Sequence, residues 1–224
     1  MAYEILYGNS IDTDFILCEH LTAVNGSAIG SGASFINQFM LNHISKTPTN
    51  NTVIGIFDYD TTGFNEIAAL RKQFNQKDKE IDKFLLYQHN TKKNIFVMTL
   101  VTPFHRDKFT NKTKADYCFL STELLLEDKV IPVANKKFPT PFDETVFSFT
   151  GDKTSFANEI ESKKNDVNFD GFRPTLELIK EIVGKASDGS GKTNEPREAY
   201  IILPENGRPE RSISNNPISF MLAP

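Results

Sequence analysis

The chain has 224 residues, 39% of them hydrophobic and 24% charged, a balance that suits a soluble globular protein better than a disordered one. Its formal net charge of −4 gives no support to a uniformly basic nucleic-acid binder, and no apolar run approaches the roughly 18–20 residues that span a bilayer. Cys18 and Cys118 are too few for a disulfide framework, so a reducing cytoplasm is the expected compartment.

In chain order, Met1-Ala-Tyr-Glu has no basic region ahead of an apolar core, so no signal peptide is expected. Tyr3–Tyr7 reads as a short strand ending at Gly8. Ile11, Phe15, Cys18, Leu21 and Val24 have helical spacing, with Asp12 and Asp14 in the first turn. The loop from Asn25 to Gly32 precedes a second helix, Ala33–Ser45, which turns Phe35, Phe39, Met40 and Ile44 to the core. Thr52-Val-Ile-Gly-Ile-Phe57 is a β-branched run of the kind that forms a strand buried on both faces, and Gly63–Phe74 is helical. Strand and helix alternate over this first third, which predicts a parallel sheet.

Asn75–Asp82 reads as a solvated connection. Lys83–Gln88 and Asn94–Thr102 read as strands joined by a hairpin loop, His89-Asn-Thr-Lys-Lys93. Tyr117–Ser121 leads into Thr122–Asp128, and a helix opens near Gly151–Ala157 with Thr154 or Asp152 as its cap. Pro174 suits a helix start, and Leu176, Ile179, Ile182 and Val183 give that helix an apolar face. After Lys185 the chain is polar, and only Ala199–Leu203 is strand-like.

The chemistry concentrates at Asp58-Tyr-Asp60. Residues two apart in an extended chain point to one side, and two carboxylates aimed at one point call for a cation between them. A hard divalent ion such as Mg²⁺ (or Mn²⁺) fits. His20, His43, His89 and His105 show no ligand spacing near either cysteine, so no zinc site is expected. Lys92-Lys93, the group Arg106, Lys108, Lys112 and Lys114, and Lys136-Lys137 are local basic clusters, each most simply a solvated surface.

A strand, Asp58-x-Asp60, Gly63 and then a helix, after a strand–helix–loop–helix order, resemble the second half of a Toprim domain. That is the metal-binding fold of topoisomerases, primases, recombination proteins and the overcoming-lysogenization-defect (OLD) family of nucleases. Leu120–Val130 is similar to the segment that follows Toprim in OLD-like proteins, where the Glu, here Glu123, lies near the metal. Gly151–Ala157 with Phe169–Ile182 resembles a further element of the same proteins, so the likeness covers roughly residues 1–186. In one place it departs: Gly8 matches the Glu-Gly signature of the first Toprim strand, but Tyr7 stands where the Glu is expected. Asp12 or Asp14 fits the Asp that follows, while Glu4 and Glu19 are out of register.

The resemblance implies an α/β fold, a Toprim-like (Rossmann-like) parallel sheet flanked by helices. It divides the chain into a Toprim-like domain over 1–110, a C-terminal α+β extension over 111–186 and a polar tail over 187–224. It implies a Mg²⁺-dependent nuclease that hydrolyses DNA phosphodiesters in a bacterial phage-defence or repair system, without its own ATPase. A separate ATPase subunit and a homo-oligomer are the partners it admits, and no membrane is among them. Asp58, Asp60, Glu123 and Lys153 would be catalytic, and Asp58, Asp60, Glu123 and Glu127 would hold metal. Lys153 would neutralise charge developing on the phosphate.

Plainer roles stand beside these. Asp58 and Asp60 suit loop caps, Glu123 a surface or capping glutamate, and Lys153 a solvated lysine. The alternative function is a Toprim-like module that has lost catalysis and acts by binding. A third reading is a haloacid-dehalogenase-like phosphatase with Asp58 as nucleophile and Asp60 as acid/base. Ala186–Thr193 imitates a phosphate-binding loop, but it follows a helix and Pro196 stands where a helix should begin. His105-Arg-Asp107 resembles a kinase catalytic loop without the other kinase motifs.

Overall fold

The computed structural model describes residues 1–8, 14–17, 32–46, 48–77, 83–139, 145–188 and 199–203, with backbone alone at 14–17, 43, 185–188 and 199–203. In order the elements are α1 (Ala2–Tyr7), β1 (Asp14–Leu17), α2 (Ala33–Phe39), β2 (Thr52–Phe57), β3 (Tyr59–Asp60), α3 (Thr61–Ala69), β4 (Phe74–Gln76), β5 (Leu86–His89) and β6 (Ile95–Thr99). They continue with β7 (Phe119–Leu120), β8 (Lys136–Lys137), β9 (Ser148–Phe149), α4 (Lys153–Ser162), α5 (Arg173–Asp188) and β10 (Ala199–Leu203). The chain is thus mixed α/β.

Among the described residues six strands form one sheet in the order β1-β10-β2-β6-β5-β4. The first four are parallel, β5 pairs antiparallel with β6, and β4 pairs antiparallel with β5. The expected parallel sheet is therefore corrected to a mixed one. The cause is the short loop after His89: so few residues can join only antiparallel neighbours, whereas a parallel crossover needs a dozen or more. Every residue of β2 and β6 is buried, as their β-branched runs require of strands covered on both faces. α2 and α3 lie against β2 and against each other. Asn37 on α2 ties them together by donating to the Glu66 carbonyl at 2.8 Å and to Glu66 Oε2 at 2.7 Å.

Three elements differ in type from the sequence expectation, among them Phe74–Gln76, which is strand β4 where the sequence predicts a helix end and a solvated connection. Tyr3–Tyr7 belongs to helix α1, not to a strand. Five residues carry too little period to separate the two, and the helix sets the Tyr3 and Tyr7 rings one turn apart at 4.7 Å. Gly8 closes it with φ 71°, its N–H donating to Glu4 O at 2.9 Å. Asp14–Leu17, expected in a helix, is strand β1; the remainder of the expected 11–24 helix lies outside the described residues. α3 also ends sooner than expected: a 3₁₀ turn follows at Leu70–Lys72, and Phe74 begins β4.

Ala199–Leu203, the strand-like piece of the polar stretch, is an inner strand, paired in register with β1 on one side and β2 on the other. Among the described residues no helix is long and apolar enough to cross a membrane. Residues 111–186 carry the short strands β7, β8 and β9 with α4 and most of α5. β7 joins the sheet-end loop by pairing with β3, Asp60 opposite Phe119 and Tyr59 opposite Leu120.

Candidate functional site at the end of β2

β2 ends at Phe57, and the chain turns sharply into α3 through Asp58, Tyr59 and Asp60. Gly63 makes the turn possible. A Cβ there would lie 2.0 Å from the Asp58 carbonyl oxygen, so no other residue fits without moving backbone. Asp60 is the N-cap of α3: its Oδ1 accepts from Gly63 N–H at 2.7 Å. The capping role open to either member of the acidic pair thus belongs to Asp60.

Asp58 does something else. Its Oδ1 accepts from both the N–H and the hydroxyl of Thr122, at 3.1 and 3.0 Å. Its Oδ2 lies 3.8 Å from Lys153 Nζ, and Glu123 Oε1 lies 3.3 Å from the same nitrogen. Asp58, Glu123 and Lys153 therefore form one cluster, drawn from the end of β2, the 3₁₀ turn Thr122–Leu125 and the first residue of α4. Glu123 is only 6% exposed, and its Oε2 is buried without a hydrogen-bond partner among the described residues. A bare buried carboxylate oxygen is costly unless something cationic or protonated meets it.

The electrostatics follow from this geometry. Burial pushes the Asp58 carboxyl up to about 7; Glu123 and Asp60 add to the rise, and Lys153 and the Thr122 hydrogen bond oppose it. Burial works against the Lys153 charge too, but Asp58 and Glu123 outweigh it and hold the ammonium above its usual range. A lysine at the first residue of a helix also faces the positive end of the dipole. The two carboxylates are what make that position tenable.

Glu127 is not brought to this cluster. Its Oε1 accepts from Asn168 Nδ2 at 2.9 Å, and its Oε2 pairs with Lys129 at 2.6 Å. Tyr7 lies on α1 instead, hydrogen-bonded to Glu177 of α5. With α1 helical, Tyr7 and Gly8 do not sit at the end of a strand. The parallel strand at that side of the sheet is β1, and the first carboxylate beyond it in sequence, Glu19, lies outside the described residues.

Arg106 leaves the expected basic cluster altogether. It is 2% exposed, donates to the Leu124 and Leu126 carbonyls at 2.8 and 2.9 Å, and lies over the Phe109 and Phe147 rings. It therefore pins the turn that carries Glu123, a role that no motif announces. Its neighbours in the kinase-like triplet are also structural: His105 contacts the Leu126 carbonyl, and Asp107 pairs with Lys83. Gly171 holds the same turn from the other side, since a Cβ there would lie 1.9 Å from Leu125 O. Thr122 is a further residue of the site without a sequence signal, because a threonine beside a glutamate is too common to single out. The last part of the phosphate-loop imitation, 189–193, lies outside the described residues.

Among the described residues no three His, Cys, Asp or Glu side chains form a group able to hold a metal ion. Mg²⁺, however, keeps several waters and is bound through one or two carboxylates plus substrate phosphates. Asp58 and Glu123, with the unpartnered Glu123 Oε2, fit that smaller donor set. No family model matches the chain, and comparison with curated proteins and with solved structures yields no match.

Proposed function

We propose that the cluster at the end of β2 is a phosphodiester-hydrolysing centre acting on DNA with Mg²⁺ or Mn²⁺. The observation that carries this reading is the buried, unpartnered Glu123 Oε2 beside Asp58, two hard oxygen donors converging from distant parts of the chain. Asp58 and Glu123 would hold the ion, which supplies a polarised phosphate and a water of lowered pKa. Thr122 fixes one Asp58 oxygen by two hydrogen bonds, so the other stays aimed at the cluster. Lys153, whose side chain is two-fifths exposed, would turn its ammonium from the carboxylates to a phosphate oxygen when substrate binds. Asp60 keeps the β2–α3 turn in shape through Gly63 and adds negative potential. The Toprim and OLD-family likeness, the defence or repair setting and a separate ATPase partner belong to the same proposal and rest on the resemblance.

One observation favours a second reading, a binding module without turnover. Lys153 already puts a positive charge between Asp58 and Glu123, so the pair has a counter-ion of its own. The substitution Lys153→Gln separates the two. Under the hydrolase reading the variant binds Mn²⁺ more tightly, because a competing cation is gone, yet cleaves plasmid or oligonucleotide DNA about ten-fold or more slowly than wild type. Asp58→Asn and Glu123→Gln abolish both properties. Absence of any Mg²⁺- or Mn²⁺-dependent cleavage by wild type, with unchanged metal affinity in all three variants, would leave the binding module standing.

A further inference from the structure

The segment that delivers Glu123 also builds an exposed aromatic platform close to the cluster. Tyr117 is 59% exposed, and Lys114 Nζ stands 5.4 Å from its ring centre. The turn beneath them is held rigid from within. Asn111 Oδ1 accepts from Thr113 N–H, the Thr113 hydroxyl and Lys114 N–H at 2.9 to 3.0 Å. The Cys118 thiol donates to Asn111 O at 3.1 Å and accepts from Asn111 N–H at 3.3 Å. Tyr117 N–H donates to Lys114 O at 3.1 Å and Cys118 N–H to Ala115 O at 2.9 Å, closing the turn.

The platform is fastened to the acidic turn. Thr61, the first residue of α3, donates its hydroxyl to Ala115 O at 3.0 Å. Two residues after Tyr117, Phe119 pairs with Asp60 in the β3–β7 ladder. A flat ring left in water on a preformed turn loses little entropy on meeting a second flat surface. Lysines at 112 and 114 outnumber the one carboxylate of the turn, Asp116, so its charge suits an anion, opposite in sign to the cluster it adjoins.

We propose that Tyr117 and Lys114 bind a single-stranded stretch of nucleic acid, the ring stacking on an unpaired base and the lysine meeting the backbone phosphate, so that the strand is led to Asp58 and Glu123. Stacking on an aromatic is open to every base but only where the base is unpaired, so the substrate is an unpaired strand or a frayed end, not continuous duplex. The proposal deepens the hydrolase reading and rests on it for the direction of the strand.

The test is fluorescence anisotropy of the full chain with labelled single-stranded DNA, RNA of the same sequence and duplex DNA, all in chelator. One of the single strands should bind about ten-fold or more tightly than duplex. Tyr117→Ala should weaken that binding roughly ten-fold, and Tyr117→Phe should retain it. Lys114→Gln should flatten the salt dependence by roughly 0.7 in log–log slope. Equal affinity for duplex, no binding, or no loss in Tyr117→Ala overturns the platform. Because no metal is present, stacking without later cleavage overturns the hydrolase alone, and cleavage indifferent to Tyr117→Ala overturns the platform alone.

Discussion

Asp58 is a carboxyl that folding places at a disadvantage. Its pKa is raised to about 7 against an ordinary 3.8, chiefly by burial. The native state therefore binds this proton more tightly than the unfolded chain does. The stability this provides is fully present below the ordinary value and is lost as pH rises through about 7. A rise of that size corresponds to roughly 4 kcal/mol as an upper figure. Asp58→Asn keeps an oxygen for the Thr122 N–H and hydroxyl but carries no charge to bury. It should be more stable than wild type at about pH 8 by about 1–3 kcal/mol, with the gap narrowing toward about pH 5. Urea unfolding at both pH values reads this directly. A gap that stays constant with pH would mean Asp58 titrates near its ordinary value. A stabilising change at a buried carboxyl is the trade expected where folding bears the cost of a charge at a site proposed to use it.

At the scale of elements, the β2–α3 junction is where local sequence and fold agree most closely. A buried run, a capping Asp60 and a glycine at the third helical residue each have one physical job. Gly63→Ala tests the tightest of them. In an ordinary helix the change would gain about 1 kcal/mol, but here the new Cβ meets the Asp58 carbonyl at 2.0 Å. The expected outcome is a net loss of about 2 kcal/mol or more in denaturant unfolding. A neutral or stabilised variant would contradict so close an approach. This junction was legible because every cue in it is local. The same holds for the 83–102 hairpin, for α2 and for Asp152, whose Oδ1 caps α4 by accepting from Ser155 N–H at 2.6 Å. α1 was not legible, since a five-residue apolar stretch satisfies either period. Nor was the burial of Arg106, because a guanidinium packed on Phe109 and Phe147 reads as one more basic residue in a basic stretch. Of the candidate site, Asp58 announced itself by spacing. Glu123 and Lys153 came from resemblance alone, and it took tertiary packing to set them around one ammonium.

The whole molecule turns on a strand far along the chain, the last among the described residues. β10 lies between β1 and β2, with Ile201 opposite Phe15 on one side and Ile54 on the other. It thus connects β1 to the strand that leads into Asp58, across a long sequence separation that no local pattern reveals. If residues 199–203 were only a strand-like piece of a polar tail, proline there would be nearly silent. Inside a sheet, proline removes a ladder donor and is tolerated only at edges or bulges. Ile201→Pro should therefore cost about 3 kcal/mol or more, a fall of roughly 10 °C in Tm for a chain of this size. Calorimetry of the full chain decides the matter. A Tm within about a degree or two of wild type would detach β10 from the sheet and leave β2 without a parallel neighbour on that side. A large fall would place β10 in the same cooperative unit as the β2–α3 junction, because the end of β2 can be held in position only as firmly as the strands on either side of it.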